Sequence, residues 1–462
     1  MHKLTMLIMT ILLVMAGMGF AACTVSDPRA GTASETLVVE PSVTAPASVT
    51  HKAIQIRWFV PQGDGTSEKK IAEEWNALQD AIELVVEIGP GGSASAEALW
   101  RQIDAGDPPD IVGMIGPRDA NKFPGLWQSM DDLVAERGEI DDFEPAALEA
   151  WRVEGELIGV PVAVYPTVLF YNRDLFDAAE LPYPPHTYGE HYTGGDTWTV
   201  EKMQEIGMQL ALDVDGRNAL EPDFDSERMA QWGLIWGGDL RAKLVFFGPG
   251  AVVTGDGKAK IPAHWREAVH WYYDDMWEKH YVTNEKTTEL WTWNPFDAGV
   301  VAMGLDPLWY LFCCAKNTNW DIAAVPSYGG VSTARLEHDM IGVLRTTTHP
   351  REAAEAAYAI SSNLELNMAW GGFPARKSLQ AEFLNWLDQQ YPGVDWQVAL
   401  DSVAYADVPS FDAPLPNYFA AWDRMEDFVA LLESKDGLDI DAEIETLEAD
   451  LQAILDEGAS WP

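Results

Sequence analysis

Ile54-Gln55-Ile56-Arg57-Trp58-Phe59-Val60 is an apolar run of strand length, and the pattern that follows it decides the fold. A helical period runs from Ser67 to Leu78, opened by a Ser-x-x-Lys cap, and a second strand pattern covers Ile82 to Ile88. Ala96 to Asp104 is helical again, the turn Gly106-Asp107-Pro108-Pro109 stops it, and Asp110 to Met114 reads as a third strand. Strand, helix, strand, helix, strand specifies parallel strands with helices over both faces, so the fold class is α/β. Ligands of such sheets sit beyond the carboxyl ends of the strands. The loops Pro61-Gln62-Gly63-Asp64-Gly65 and Ile115-Gly116-Pro117-Arg118 therefore face one cleft, to which Gln62, Asp64 and Arg118 bring polar groups. Neither GxGxxG nor a Walker pattern stands in the right context, which excludes a nucleotide-binding fold. No internal repeat of fixed period is present.

On the amino-terminal side, residues 24–51 are rich in Ser, Thr, Ala and Pro without helical or strand period and read as a flexible tether. Before them come Lys3, the uncharged apolar run Leu4 to Phe20, and Phe20-Ala21-Ala22-Cys23. Residues 1–23 have the plan of an export signal, and no basic cluster follows to stop transfer as for a retained helix. The last four resemble a bacterial lipobox, with Phe20 where Leu is usual. That resemblance implies an acylated Cys23, a lipid anchor that tethers the protein to the outer face of the cytoplasmic membrane. Ordinary cleavage, with Gly19 and Ala21 as the small pair, is the alternative.

The 73 acidic and 30 basic residues give a formal charge of −43, a surface that repels phosphate backbones and anionic headgroups. Nucleic acid is excluded as a partner, and contact with the membrane is expected through the anchor alone.

Further along, Gly159-Val160-Pro161 is followed by Val168-Leu169-Phe170-Tyr171-Asn172-Arg173-Asp174-Leu175-Phe176. Phe296 to Met303, Trp309, Ala323-Ala324-Val325-Pro326 and Gly371-Gly372-Phe373-Pro374 complete a set of motifs between about residues 52 and 380. Together these resemble the family 1 extracellular solute-binding proteins of ABC importers, the carbohydrate-binding, maltose-binding-protein-like group. The resemblance implies a two-lobe periplasmic-binding fold with a ligand cleft between the lobes, closing on the ligand. It implies an amino-terminal lobe of residues 52–163 plus about 342–371 and a carboxy-terminal lobe of about 168–340 plus 375–462. Hinges are expected near 162–168, 342–345 and 371–375. The implied function is capture of a mono- or oligosaccharide by a monomer that delivers it to the transmembrane subunits of an ABC permease, with no chemistry and no cofactor.

The 20 Trp residues, against 14 Tyr and 16 Phe, support a sugar independently, because sugar rings offer flat C–H faces to aromatic platforms and hydroxyls to planar polar groups. Any single Trp is more often core packing. Trp309 falls at the family's stacking position, here within Met303-Gly304-Leu305-Asp306-Pro307-Leu308-Trp309 with Pro307 in place of a glycine. Tyr165, in the first crossover, and Arg118 match positions where the group contacts sugar. Trp236, in Ile235-Trp236-Gly237-Gly238-Asp239, ends an apolar strand; Trp58 and Trp370 are weaker platform candidates. Asp64, Asp239 and Asp306 lie near these aromatics as hydroxyl acceptors, with solvated loop carboxylates as the plain reading.

Cys313-Cys314 are adjacent, either two buried thiols or a strained vicinal disulfide. Asp213-Val214-Asp215-Gly216-Arg217-Asn218 lacks the third early ligand and the Glu of a calcium loop, and reads as a polar turn. There is no HExxH and no GxSxG, so no metal site is expected and the chain is not read as an enzyme. A secreted glycoside hydrolase is the rival reading, since abundant carboxylates always supply a pair. The same fold holding a peptide or polyamine is a third.

Overall fold

The computed structural model describes residues 53–458 apart from 285–293, 312–314, 317, 409 and 414. Cys23, the signal and tether segments, and the Cys313-Cys314 pair lie outside the described residues. The opening pattern folds as its periodicity requires: β1 (Ile54–Val60), α1 (Thr66–Leu78), β2 (Ile82–Ile88), α2 (Ser93–Asp104) and β3 (Ile111–Ile115). β1 lies between β2 and β3, parallel to both. The two helices start earlier than the sequence patterns, α1 by one residue and α2 by three. For α1 the Ser-x-x-Lys cap is not used. Instead the Asp64 carboxylate accepts the Thr66 N–H at 2.9 Å, and Gly65 takes a left-handed backbone, φ 71°, that suits glycine.

Beyond β3 the sheet is completed by β4 (Val160–Asn172), β5 (Leu212–Asp213), β6 (Met229–Trp236), β7 (Val301–Pro307), β8 (Trp320–Ala323), β9 (Leu336–Val343) and β10 (Phe373–Pro374). The ten strands follow the order β2-β1-β3-β9-β4-β7-β6-β5, with β8 and β10 also pairing with β4. Every one of the 13 residues of β4 is buried. Its first half, Val160 to Pro166, pairs antiparallel with β9 and β10. Its second half, Thr167 to Asn172, pairs with β7 and β8. One strand thus joins the two halves of the sheet, which accounts for its apolar composition along the whole length.

Two hydrophobic cores result. The first holds β1, β3 and most of β4 and continues onto one face of the second half of the sheet through Phe170, Trp320 and Ile322. The second covers the opposite face, beginning at Leu169 and Tyr171 and extending to α6 (Tyr418–Ser434) and α7 (Ile440–Asp456). Leu169, Phe170 and Tyr171 divide between the cores because successive strand residues point to opposite faces. Three further helices position the site: α3 (Pro117–Ala120), α4 (Pro350–Ser361) and α5 (Leu364–Trp370). No helix among the described residues is long and apolar enough to cross a membrane.

Candidate functional site

A cleft of about 850 Å³ opens where the two halves of the sheet meet. The first half contributes Gln62 from the loop after β1, and Arg118 and Asp119 from α3 immediately after β3. These are the carboxyl ends of parallel strands, where the alternation of strands and helices places a ligand crevice. The second half contributes Gly238 and Asp239 after β6, and Trp309 two residues beyond β7. β4 and β9 form the floor between them through Tyr165, Glu337 and Asp339. Trp370 closes α5 at one end of the cleft, and Tyr418, Trp422 and Glu426 of α6 line it with successive i, i+4 positions of one helix face.

Side-chain hydrogen bonds hold the aromatic rings of the wall in place. The Trp309 indole Nε1 donates to Glu337 Oε2 at 2.6 Å, and Glu337 in turn lies 3.4 Å from the buried guanidinium of Arg335. With 39% of its surface exposed, Trp309 presents an open ring to the cleft. The Tyr165 hydroxyl donates to Asp339 Oδ2 at 2.9 Å. Burial pushes the Asp339 carboxyl up to about 7, helped by the charges of Glu337 and Asp119 and opposed by the Tyr165 hydrogen bond. Trp370 donates to Glu68 at 3.2 Å and lies against Gly63, where a Cβ would come within 3.0 Å of its ring. Asp239 accepts the Ala242 N–H with one oxygen and the Trp422 indole N–H with the other, at 3.0 and 3.3 Å. The guanidinium carbon of Arg118 stands 3.8 Å from the centre of the Trp422 ring, a cation–π contact that bridges the two halves of the fold.

Six of the residues singled out from sequence meet on this wall: Gln62, Arg118, Tyr165, Asp239, Trp309 and Trp370. Four are elsewhere. Trp58 is fully buried in the first core, its indole N–H donating to the Gly113 carbonyl at 2.6 Å. Trp236 is 3% exposed in the second core, packed against Phe246, Phe247, Trp271 and Tyr272. Both lie in strands, and the pleat turns their rings away from the cleft. Asp64 is exposed at the start of α1. Asp306 is 5% exposed beneath Gly237, without a hydrogen bond among the described residues, and burial raises it to about 7 against the opposing charges of Arg335 and Lys243.

The sequence reading missed Glu337, Asp339, Tyr418, Trp422 and Glu426. A signal existed for the first two: in Leu336-Glu337-His338-Asp339-Met340 two carboxylates interrupt an apolar strand at alternate positions, hence on one face. Asp213 directs its oxygens to the backbone N–H groups of Asp215 and Arg217 within its own turn and to that of Asp225 beyond it. No cluster of three or more metal-ligating side chains occurs among the described residues. A second cavity, of about 670 Å³, lies by Trp100, Trp127 and Phe419. The cleft differs from it in gathering polar groups from both halves of the sheet onto aromatic planes, the usual constitution of a small-molecule site.

Fold and cleft together define a binding protein of the two-lobed α/β class. The chain belongs to the bacterial extracellular solute-binding protein family, whose profile matches residues 70–397. Membership places it among exported proteins. Solved structures share the fold. UspC of M. tuberculosis is 20% identical over 87% of this chain and 100% of its own, with a TM-score of 0.67. An ABC substrate-binding protein of Listeria monocytogenes, solved in complex with cycloalternan, is 16% identical over 87% and 98%, TM-score 0.66. The maltotriose-binding protein of Thermus thermophilus, bound with maltotriose, is 17% identical over 86% and 99%, TM-score 0.58.

Proposed function

We propose that this protein is the sugar-capturing component of an ABC importer, taking up a mono- or oligosaccharide in the cleft and releasing it unaltered to a membrane permease. The observation that carries the reading is the cleft wall, where the open ring of Trp309 and the rings of Trp370 and Tyr165 stand beside Glu337, Asp339 and Asp239. Aromatic planes take the C–H faces of a sugar, and carboxylates accept its hydroxyls. The cycloalternan and maltotriose held by the Listeria and Thermus relatives support the same ligand class. In this reading Trp309, Tyr165, Arg118, Gln62, Asp239 and Trp370 contact the ligand, and Trp58, Trp236, Asp64 and Asp306 do not.

The lobes comprise residues 52–163 plus about 342–371 and about 168–340 plus 375–462, turning about hinges near 162–168, 342–345 and 371–375. Ligand drives closure only if it binds the closed state more tightly, which a wall drawn from both halves of the sheet allows. Residues 1–23 direct export, Cys23 carries the lipid, and residues 24–51 tether the body to the membrane; Cys23→Ala releases the protein from the membrane fraction if this is so.

The test is a thermal-shift screen of the purified protein against sugars, peptides and polyamines. Ligand at a hundredfold over Kd adds about 2.7 kcal/mol of stability. A shift with one sugar family, and recovery of that sugar intact, is the expected result. Shifts confined to peptides or polyamines overturn the sugar assignment, and a cleaved sugar overturns the binding function.

A further inference from the structure

Taking Trp309 as the platform of the sugar-binding reading, we propose that Arg335 is its positioning residue: the buried guanidinium holds Glu337, and Glu337 holds the indole open to the cleft. Trp309 stands two residues beyond β7 with 39% of its surface exposed, so packing grips only part of the ring. Its Nε1 bond to Glu337 Oε2, at 2.6 Å, adds a further constraint. A glutamate can act in this way only if it is itself fixed, because a carboxylate with 30% of its side chain exposed otherwise exchanges rotamers in water.

What fixes Glu337 lies behind the wall. Its second oxygen, Oε1, is 3.4 Å from Nη2 of Arg335, a residue 1% exposed that does not line the cleft. The other arms of the fork have anchors of their own. Nε donates to Thr167 Oγ1 at 3.2 Å, and Nη1 to the Gly237 carbonyl at 3.1 Å. The Arg335 carbonyl also accepts the Thr167 N–H, at 2.9 Å. Thr167 is where β4 passes from pairing with β9 to pairing with β7, and Gly237 lies two residues before Asp239 of the cleft. Space for the guanidinium is made at Gly238, where a Cβ would come within 2.1 Å of Nη1. With two arms of a planar fork tied to the crossover and to the loop after β6, the direction of the third is set, and it points to Glu337. Asp306 and Asp407 also feel the Arg335 charge. Compensating them requires a cation but no fork, so lysine would serve that purpose and would fail as the brace.

The experiment is two-dimensional NMR of the full chain labelled with 15N-tryptophan, at pH 7 and without ligand. Each indole N–H gives one cross-peak, and that of Trp309 is the one lost in Trp309→Phe. Glu337→Gln replaces the charged acceptor by a neutral one, so the Trp309 peak should move upfield and its hydrogen should exchange about fivefold faster. Arg335→Lys and Arg335→Met should move the same peak toward the Glu337→Gln position and quicken its exchange about threefold or more, with the core peaks of Trp58 and Trp265 in place. Added to Glu337→Gln, either should change Trp309 exchange by less than about twofold, because the brace is already broken. Where neither Arg335 variant folds, Thr167→Val, which deletes only the Nε anchor, decides by the same peak. A Trp309 peak unmoved by Glu337→Gln, or unmoved by Arg335→Lys, overturns the proposal. Additive effects of the two sites overturn it as well, since they describe a general loosening. No ligand enters these spectra, so the brace can fail while the sugar screen succeeds, and the reverse.

Discussion

Trp309→Ala removes the most open aromatic plane of the cleft, and its effect can be worked from exposure. The ring keeps 39% of its surface free; of the roughly 250 Å² a tryptophan can bury, about 100 Å² is therefore left for a ligand. At about 25 cal/mol per Å², full coverage contributes about 2.5 kcal/mol, and coverage of one face about half of that. Sugar affinity should fall between about tenfold and sixtyfold. The indole is oriented by its bond to Glu337, so little of this is offset by ordering the ring when ligand arrives. Trp309→Phe retains a plane but loses the Nε1 donor, and should fall between wild type and Trp309→Ala. The assay is calorimetric titration with the sugar identified by the thermal screen, and melting temperatures within about 4 °C of wild type verify the fold. An affinity for Trp309→Ala within twofold of wild type refutes the platform role.

Three other perturbations test different parts of the structure. Arg376 is 4% exposed, ion-paired with Glu139 and Asp142 and stacked between Phe143 and Tyr358; Arg376→Met should cost about 3 kcal/mol in urea unfolding with an unchanged m-value. A Cβ at Gly372 would meet Ala163 at 2.6 Å and the Tyr165 ring at 2.8 Å, so Gly372→Ala should displace Tyr165 and weaken ligand binding about fivefold or more, whereas a crystal structure with Tyr165 unmoved argues against that route. Asp306, raised by burial to about 7, holds a proton in the folded state that the unfolded chain has released above about 4. Stability therefore declines as pH rises from about 4 to 7 and levels off above. Asp306→Asn should shrink the loss of melting temperature between pH 5 and 8, while Asp275 and Asp339, also raised to about 7, leave part of the slope in place.

The α/β class was legible because each element of residues 54–115 carries its own period, a local property that needs no partner. The loops after β1 and β3 were placed for the same reason: parallel strands put their carboxyl ends on one edge, and Gln62 and Arg118 follow directly from that. Strand pattern alone could not separate Trp58 and Trp236 from Trp309, which only the family resemblance set apart. All three stand in or just beyond apolar strands, and which face of a strand meets the cleft depends on the neighbours it pairs with. Asp64 illustrates the same limit at shorter range, since a loop carboxylate near a cleft is equally suited to start a helix.

The wall itself came from the tertiary structure. Glu337 and Asp339 become cleft residues only because β9 pairs with β4 at Tyr165, and the Trp422 face of α6 reaches Arg118 across some 300 residues of chain. Local sequence determined the strands, the helices and the loops at their ends. The long-range pairing of β4 decided which side chains share a cavity, because burial and charge compensation are properties of three-dimensional neighbours and leave no fixed spacing along the chain.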